Sequence, residues 1–347
     1  MRKVGRLANL LVAVSMLSSV YGNAIESTPL KVIDTFSLPG VKKGFDHFEV
    51  DVEGNRLFVC TEWHNAVEVY ELKTTKHIHS IQGLARPHGT FYRSDLNRIY
   101  IVDGTEEMGA IRIVDGTSYE LLKTVPLAPD ADWIRYDPVS KYLYVTQGGD
   151  VLKHSYSMIS VVDTTTGEKI ADIRVEGDVI EDIALDGDGT RMYLGNKTKN
   201  EVDVIDRKTR LVVATWPMKL GSAVAPLALD EKHHRLFLGC RSGQIVVFDT
   251  ETGKELQALP ISPGVDDLTY DPEQQRLYAN CGGPKVGGVG SLDIYDQVDA
   301  DHYKQIAVVP TGPGARNGIL VKSEGRYFVG VPQHDTTDAT VMVFQVQ

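Results

Sequence analysis

One four-residue piece recurs seven times along this chain of 347 residues. It appears as Arg56-Leu57-Phe58-Val59, Arg98-Ile99-Tyr100-Ile101, Tyr142-Leu143-Tyr144-Val145 and Arg191-Met192-Tyr193-Leu194. It continues as Arg235-Leu236-Phe237-Leu238, Arg276-Leu277-Tyr278-Ala279 and Arg326-Tyr327-Phe328-Val329. Successive copies are 42, 44, 49, 44, 41 and 50 residues apart. That period, carried by β-branched and aromatic residues, is the length of a four-stranded propeller blade rather than of a helical solenoid repeat. Five residues ahead of the anchor stands an Asp in five of the seven copies: Asp51, Asp137, Asp186, Asp230 and Asp271. A tight turn favours a side chain there that can bond its own backbone.

The remaining strands of each copy follow from turn chemistry. Asp163-Thr164-Thr165-Thr166-Gly167 and Asp249-Thr250-Glu251-Thr252-Gly253 are hairpin turns with Gly where positive φ is needed. Outer strands then fall at residues 169–175 and 255–261. The seventh copy ends after a third strand at residues 340–345. The missing fourth lies at the other end, because Leu30 to Leu38 matches the outer strands at residues 121–127 and 211–218. The expected fold is therefore all-β, a seven-bladed β-propeller of four-stranded antiparallel blades with the N-terminal strand completing the last blade. Such closure removes a free sheet edge and ties down both termini.

Residues 1–24 stand apart from the repeat. Arg2, Lys3 and Arg6 form a basic start, Leu10 to Val20 an apolar stretch, and Gly22-Asn23-Ala24 a small-residue cleavage site, the pattern of a secretory signal peptide. The expectation is export to the periplasm or beyond, leaving a single propeller domain at residues 25–347. No segment has the length of apolar run that a transmembrane helix needs. With the three leader cations gone, 33 basic residues face 47 acidic ones, a balance of −14. Such a charge repels phosphate backbones and anionic membranes, so nucleic acid is not an expected partner. Cys60, Cys240 and Cys281 are too widely spaced for a haem or zinc motif and are read as buried thiols in a monomer without disulfides.

With Arg-Leu-Tyr-Val-type anchors and Val-x-Asp-Thr-x-Thr-Gly turns on the page, residues 30–347 resemble the YVTN-repeat propellers, the YncE-like group of exported proteins. Those motifs build blades and specify fold. The resemblance implies no reaction, since related propellers occur in amine-dehydrogenase heavy chains, surface-layer proteins and lactonase-like enzymes.

Function has to be read where loops meet the central channel. Ten residues before each anchor stand Asp46, His88, Asp132, Glu181, Ala225, Asp266 and Arg316. Six of these seven are ionisable, whereas two residues further on the slot is mostly apolar. The intervening slot holds His47, Gly89, Trp133, Asp182, Pro226, Asp267 and Asn317. Loops after the second strands add Glu62, His64, Asp103, Glu106, Gln147, Asn196, Lys197, Arg241, His334 and Asp335 on the same face.

Carboxylates crowded around one axis raise one another's pKa unless cations neutralise them. Two outcomes follow: a structural ion network, or a site for a ligand or metal. The ligand-binding set is Asp46, Asp132, Trp133, Glu181, Asp266, Asp267, Arg316, Asn317, His64 and Arg241. A divalent metal, calcium, magnesium, manganese or iron, would use His88, Glu181 and Asp266. The primary reading is an exported propeller that binds a small ligand or a protein partner at its acidic mouth. The alternative is a metal-assisted hydrolase or lyase acting on a lactone or uronate-like substrate, with His88 or His47 as base and Arg316 holding a carboxylate. Gly282 to Gly288 has no helix after it and is a blade loop rather than a nucleotide cradle.

Overall fold

The computed structural model describes residues 28–283 and 288–347. The expected leader, and residues 284–287 of the glycine-rich loop, lie outside the described residues. Among the described residues, 28 strands form seven four-stranded antiparallel sheets. Six sheets run in simple chain order from the inside outward. The seventh takes its outer strand from the start of the chain, Leu30–Leu38, which pairs with Ala339–Val346 from Leu30 opposite Val346 to Leu38 opposite Ala339. The ring closes as the repeat predicts.

The anchor motif forms the second strand of every blade, and burial explains its composition. Strands such as Arg56–Thr61 and Tyr142–Gln147 are buried on both faces because each blade packs against a neighbour on either side. Leu57 and Val59 pack toward blade 7, beside Phe328, Val341 and Val343. Phe58 and Cys60 pack the other way, against Ile99 and Ile101 of blade 2. A near-continuous apolar run suits this doubly covered position. The thiols of Cys60, Cys240 and Cys281 are buried and unpaired, as expected.

The Asp five residues before the anchor does the turn work assigned to it. Asp51 accepts from the Gly54 amide at 2.9 Å and pairs with Arg56 at 2.8 Å. Asp137 accepts from the Val139 amide at 2.8 Å, and Asp271 from the Glu273 amide at 3.0 Å.

The innermost strands are Phe48–Asp51, Pro87–Arg93, Ala131–Asp137, Ile180–Leu185, Val224–Asp230, Val265–Asp271 and Asn317–Val321. Neighbours among them touch in cyclic order, blade 7 meeting blade 1. In blades 2 to 6 the pairing of inner and second strands slips at the ionisable slot, between Pro87 and Gly89, Ala131 and Ile134, Ile180 and Ile183, Val224 and Leu227, and Val265 and Asp267. A bulge of this kind releases two successive side chains from strict alternation and re-aims them. It brings both charged slots to the mouth of the channel. No helix among the described residues is long and apolar enough to cross a membrane.

Candidate functional site

His47 is the hub of the mouth. From blade 1 its Nδ1 reaches Asp267 of blade 6 at 2.8 Å, and its Nε2 lies 3.3 Å from Asp46. Its ring packs on Trp133 of blade 3, centroid to centroid 3.9 Å. Of the two directions the sequence leaves open, His47 takes the one into the ring. Burial alone would lower its pKa, but Asp267 and Asp46 overcome that and raise it to about 10. The imidazole is a cation at neutral pH.

His88 is held in the same way. Its Nδ1 donates to Asp46 at 2.7 Å and its Nε2 donates to the Gly104 carbonyl at 3.0 Å. A carbonyl oxygen only accepts, so Nε2 carries a proton, and the Asp46 carboxylate keeps one on Nδ1. Burial opposes the charge, yet Asp46 and Asp132 raise the His88 pKa to about 9. Asp46 in turn, pushed up by burial, is pulled down further by His47 and His88 and stays ionised.

These contacts correct the expected chemistry. A general base needs a free lone pair; both nitrogens of His88 are bonded to acceptors, and His47 has Nδ1 bonded to Asp267 and Nε2 3.3 Å from Asp46. His88 and His47 are structural cations rather than bases.

The metal set fares no better. Glu181 and Asp266 are both drawn to the Arg241 guanidinium, which bonds Asp266 and lies 3.8 Å from Glu181. A cation already sits between the carboxylates that a metal would bridge. Asp46, Glu62 and His88 do place donor atoms within 4.8 Å of one another. Glu62, however, accepts from Arg86 Nε at 2.6 Å, and His88 has no lone pair to give. The donors present fit a divalent ion poorly.

The remaining site residues divide by exposure. Asp266 is buried, which would raise its pKa, but Arg316 and Arg241 lower it to about 2. Asn317 Nδ2 reaches the same carboxylate at 3.4 Å. Glu181 pairs with Lys197 at 2.7 Å and receives the Trp133 indole N–H at 3.4 Å. Trp133 is only 2% exposed, so it is a wall behind His47 and not a stacking surface for a ligand. Asp267 accepts from the Gly318 amide of blade 7 at 2.9 Å, just as Asp182 accepts from the Leu227 amide of blade 5 at 2.9 Å. These two carboxylates fasten neighbouring blades. His64 lies exposed in the 3-10 turn Glu62–His64 and makes no hydrogen bond among the described residues.

Two side chains are left facing outward. Asp132 keeps 37% of its side chain exposed and has His88 Nδ1 at 3.4 Å as its nearest cation. Burial within the mouth, against the opposing pull of His88, pushes its carboxyl up to about 7. Arg316, with 45% of its side chain exposed, meets Asp266 through Nε at 3.0 Å.

Sequence reasoning missed one layer of the channel. Two residues below the fastening slot stand Glu49 and Arg135 on the same strand face. Arg135 bonds Asp182 at 2.7 Å and lies 5.2 Å from the Trp133 ring. Burial pushes the Glu49 carboxyl up to about 8, against the Val50 amide and Arg135. The period-two alternation of a strand, carried one step deeper, would have found both.

No protein-family model matches the chain. The seven-bladed beta-propeller protein Rv1057 of Mycobacterium tuberculosis is 27% identical over 156 residues, covering 43% of this chain and 39% of that protein. This is a seven-bladed β-propeller protein. The probable U3 small nucleolar RNA-associated protein 18 of Schizosaccharomyces pombe is 24% identical over 183 residues, 53% of this chain and 34% of that one. The chain thus matches well under half the length of either relative. Among solved structures, a chain of a mitotic checkpoint complex superposes with a TM-score of 0.72 at 14% identity over 99% of both chains. A chain of Kuenenia stuttgartiensis hydrazine synthase gives 0.72 at 18% identity over 88% of this propeller and 97% of that chain. At these identities the likeness is one of fold.

Proposed function

We propose that this propeller is an exported, YncE-like protein that binds a small ligand at the charged mouth of its channel. The observation that carries this reading is the contrast inside the ring. Asp46, His47, His88 and Asp267 satisfy one another and Lys197 and Arg241 meet Glu181 and Asp266, while Asp132, 3.4 Å from His88, and Arg316, held to Asp266 through Nε, keep 37% and 45% of their side chains exposed at the same mouth. A purely structural network would be expected to use the Asp132 carboxylate and the terminal nitrogens of Arg316 in hydrogen bonds as well, and among the described residues neither is so used. A bound ligand supplies what they lack.

The hydrolase or lyase reading loses its support in the same geometry, since it asked His88 or His47 for a base and the carboxylates for a metal. Binding without chemistry is the reading this geometry favours.

The test is a thermal-shift screen of charged and neutral metabolites against the mature protein and an Arg316→Gln, Asp132→Asn double variant. Ligands are expected to raise the melting temperature of the wild type and not of the variant. A hit that stabilises both equally places binding elsewhere, and a screen without hits contradicts the reading. Export is tested separately by N-terminal sequencing of protein recovered from the periplasmic fraction. A start at Glu26 or Ile25 supports cleavage after the leader, and an intact Met1 contradicts it.

A further inference from the structure

The two outward charges differ in sign, and that difference narrows the ligand. Arg316 meets Asp266 only through Nε, and among the described residues its two terminal nitrogens donate no hydrogen bond. A guanidinium fork turned outward in this way matches a carboxylate in two parallel bonds. Arg241 stands beside it with its terminal nitrogens already turned to Asp266 and Glu181, so it adds positive charge next to that fork rather than a second open one. Lys197, paired with Glu181, adds a third cation on the blade 4 side.

On blade 3 the situation is reversed. Asp132 accepts no hydrogen bond among the described residues, and the nearby His88 N–H is already given to Asp46 at 2.7 Å. Water reaches this part-exposed carboxylate, and an ammonium group, with three N–H donors and a positive charge, can replace that water. Asp132 and Arg316 occupy the same ring slot of blades 3 and 7, so the two charges line one channel mouth.

We propose that the mouth takes a small zwitterion of the amino-acid class, its carboxylate on the outward fork of Arg316 beside the Arg241 charge and its ammonium on Asp132. This rests on the mouth-binding reading above and sharpens it. A simple carboxylate would leave Asp132 without a donor and would bring a second anion toward it. A simple amine would leave the Arg316 fork empty and approach two guanidinium groups. Only a ligand with both charges answers both sides at once. The rings of His47 and Trp133 pack against each other at the same mouth, tilted by 40° with centroids 3.9 Å apart.

The experiment is calorimetric titration of the mature protein with the L-amino acids, β-alanine, γ-aminobutyrate and glycylglycine at up to millimolar concentration. Each compound that binds is compared with its N-acetyl form, which lacks the ammonium, and with its decarboxylated amine. The expected result is binding of at least one zwitterion, weakened about tenfold or more by either change, as loss of a charge-assisted hydrogen bond requires. Asp132→Asn is expected to erase the difference between the zwitterion and its N-acetyl form. Arg316→Gln, and Arg316→Lys to a lesser degree, are expected to erase the difference between the zwitterion and its amine. Circular dichroism checks that each variant is folded.

Equal binding of the N-acetyl form or of the amine overturns the proposal while leaving a mouth site standing. Zwitterion binding untouched by both substitutions overturns it by moving the site elsewhere. Failure of every compound to bind overturns it outright, and a mouth-dependent hit of other chemistry in the thermal-shift screen would then preserve the broader reading.

Discussion

His47 on blade 1 reaches across the channel to Asp267 on blade 6, Nδ1 to carboxylate 2.8 Å. Asp267 accepts at the same time from the Gly318 amide of blade 7, so one imidazole and one carboxylate tie three blades together. Removing one member of a buried charged pair leaves the other exposed to desolvation without compensation. His47→Ala is therefore expected to destabilise the propeller by about 3 kcal/mol in denaturant titration. His47→Lys, which keeps a cation, is expected to cost less. Equal, small losses for both would mean that the charge is not what His47 contributes.

The histidines also set the response to alkali. The His47 pKa is raised to about 10 and the His88 pKa to about 9, both above the ordinary imidazole value. A raised folded-state pKa gives stability that is complete below the unfolded value and is lost as pH climbs through the folded one. Asp132, raised to about 7, and Glu49, raised to about 8, are also happier protonated in the fold and push in the same direction. The melting temperature should fall progressively from neutral pH toward about 10, the value to which His47 is raised. His47→Gln should flatten the most alkaline part of that fall. A melting temperature that rises over this window would contradict the assigned protonation states.

Acid acts on the other side of the ring. Asp266, lowered to about 2 by Arg316 and Arg241 against its burial, contributes stability that is present above the ordinary carboxylate pKa and lost as pH falls toward the lowered one. Arg241→Met removes the shared partner of Asp266 and Glu181. It should move the acid-unfolding midpoint upward by about one pH unit, the scale on which a neighbouring cation shifts a carboxylate. An unchanged midpoint would show that Arg316 alone holds Asp266.

Most of the fold was legible because the repeat states it seven times. The doubly buried second strand writes itself as Arg-Leu-Tyr-Val, and the Asp before it marks the turn. The ring slot was legible for the same reason, as a column of charged residues above an apolar one. Direction was not. Nothing in the order of Asp46 and His47 says that the second side chain crosses to blade 6, because that depends on the bulge in the neighbouring strands and on Trp133 filling the space beneath. Nor does composition distinguish Asp267, which fastens a blade, from Asp132, which does not. The distinction lies in whether a backbone N–H of the next blade comes within reach. Arg241 was placed on the correct face, but its position between Glu181 and Asp266, which decides against a metal there, is a matter of three-dimensional reach alone.

The closing strand makes a separate prediction. Leu30–Leu38 covers the outer edge of Ala339–Val346 along its whole length. A chain beginning at residue 39 would leave that edge open, a template for pairing with other molecules. Its melting temperature should drop, and light scattering should show concentration-dependent association. A truncated chain that stayed monomeric with unchanged melting would mean that the seventh blade is stable with three strands.

Gly104 offers a local test of the His88 anchor. Its carbonyl receives His88 Nε2, and a Cβ on it would come within 2.1 Å of the Ala131 carbonyl oxygen in blade 3. Gly104→Ala should force blades 2 and 3 apart at the mouth and cost about 1–3 kcal/mol, the range for overpacking a tight contact. Wild-type stability in that variant would show that the two blades separate freely there.

The most direct test of the charged-mouth account is the protonation state of the two imidazoles, read from their ring nitrogen chemical shifts by NMR at neutral pH. Both His47 and His88 are predicted to carry protons on Nδ1 and Nε2, each held by its acceptors, Asp267 and Asp46 for one and Asp46 and Gly104 for the other. A neutral ring at either position, with one unprotonated nitrogen, would contradict the account and return that histidine to the role of base or metal ligand.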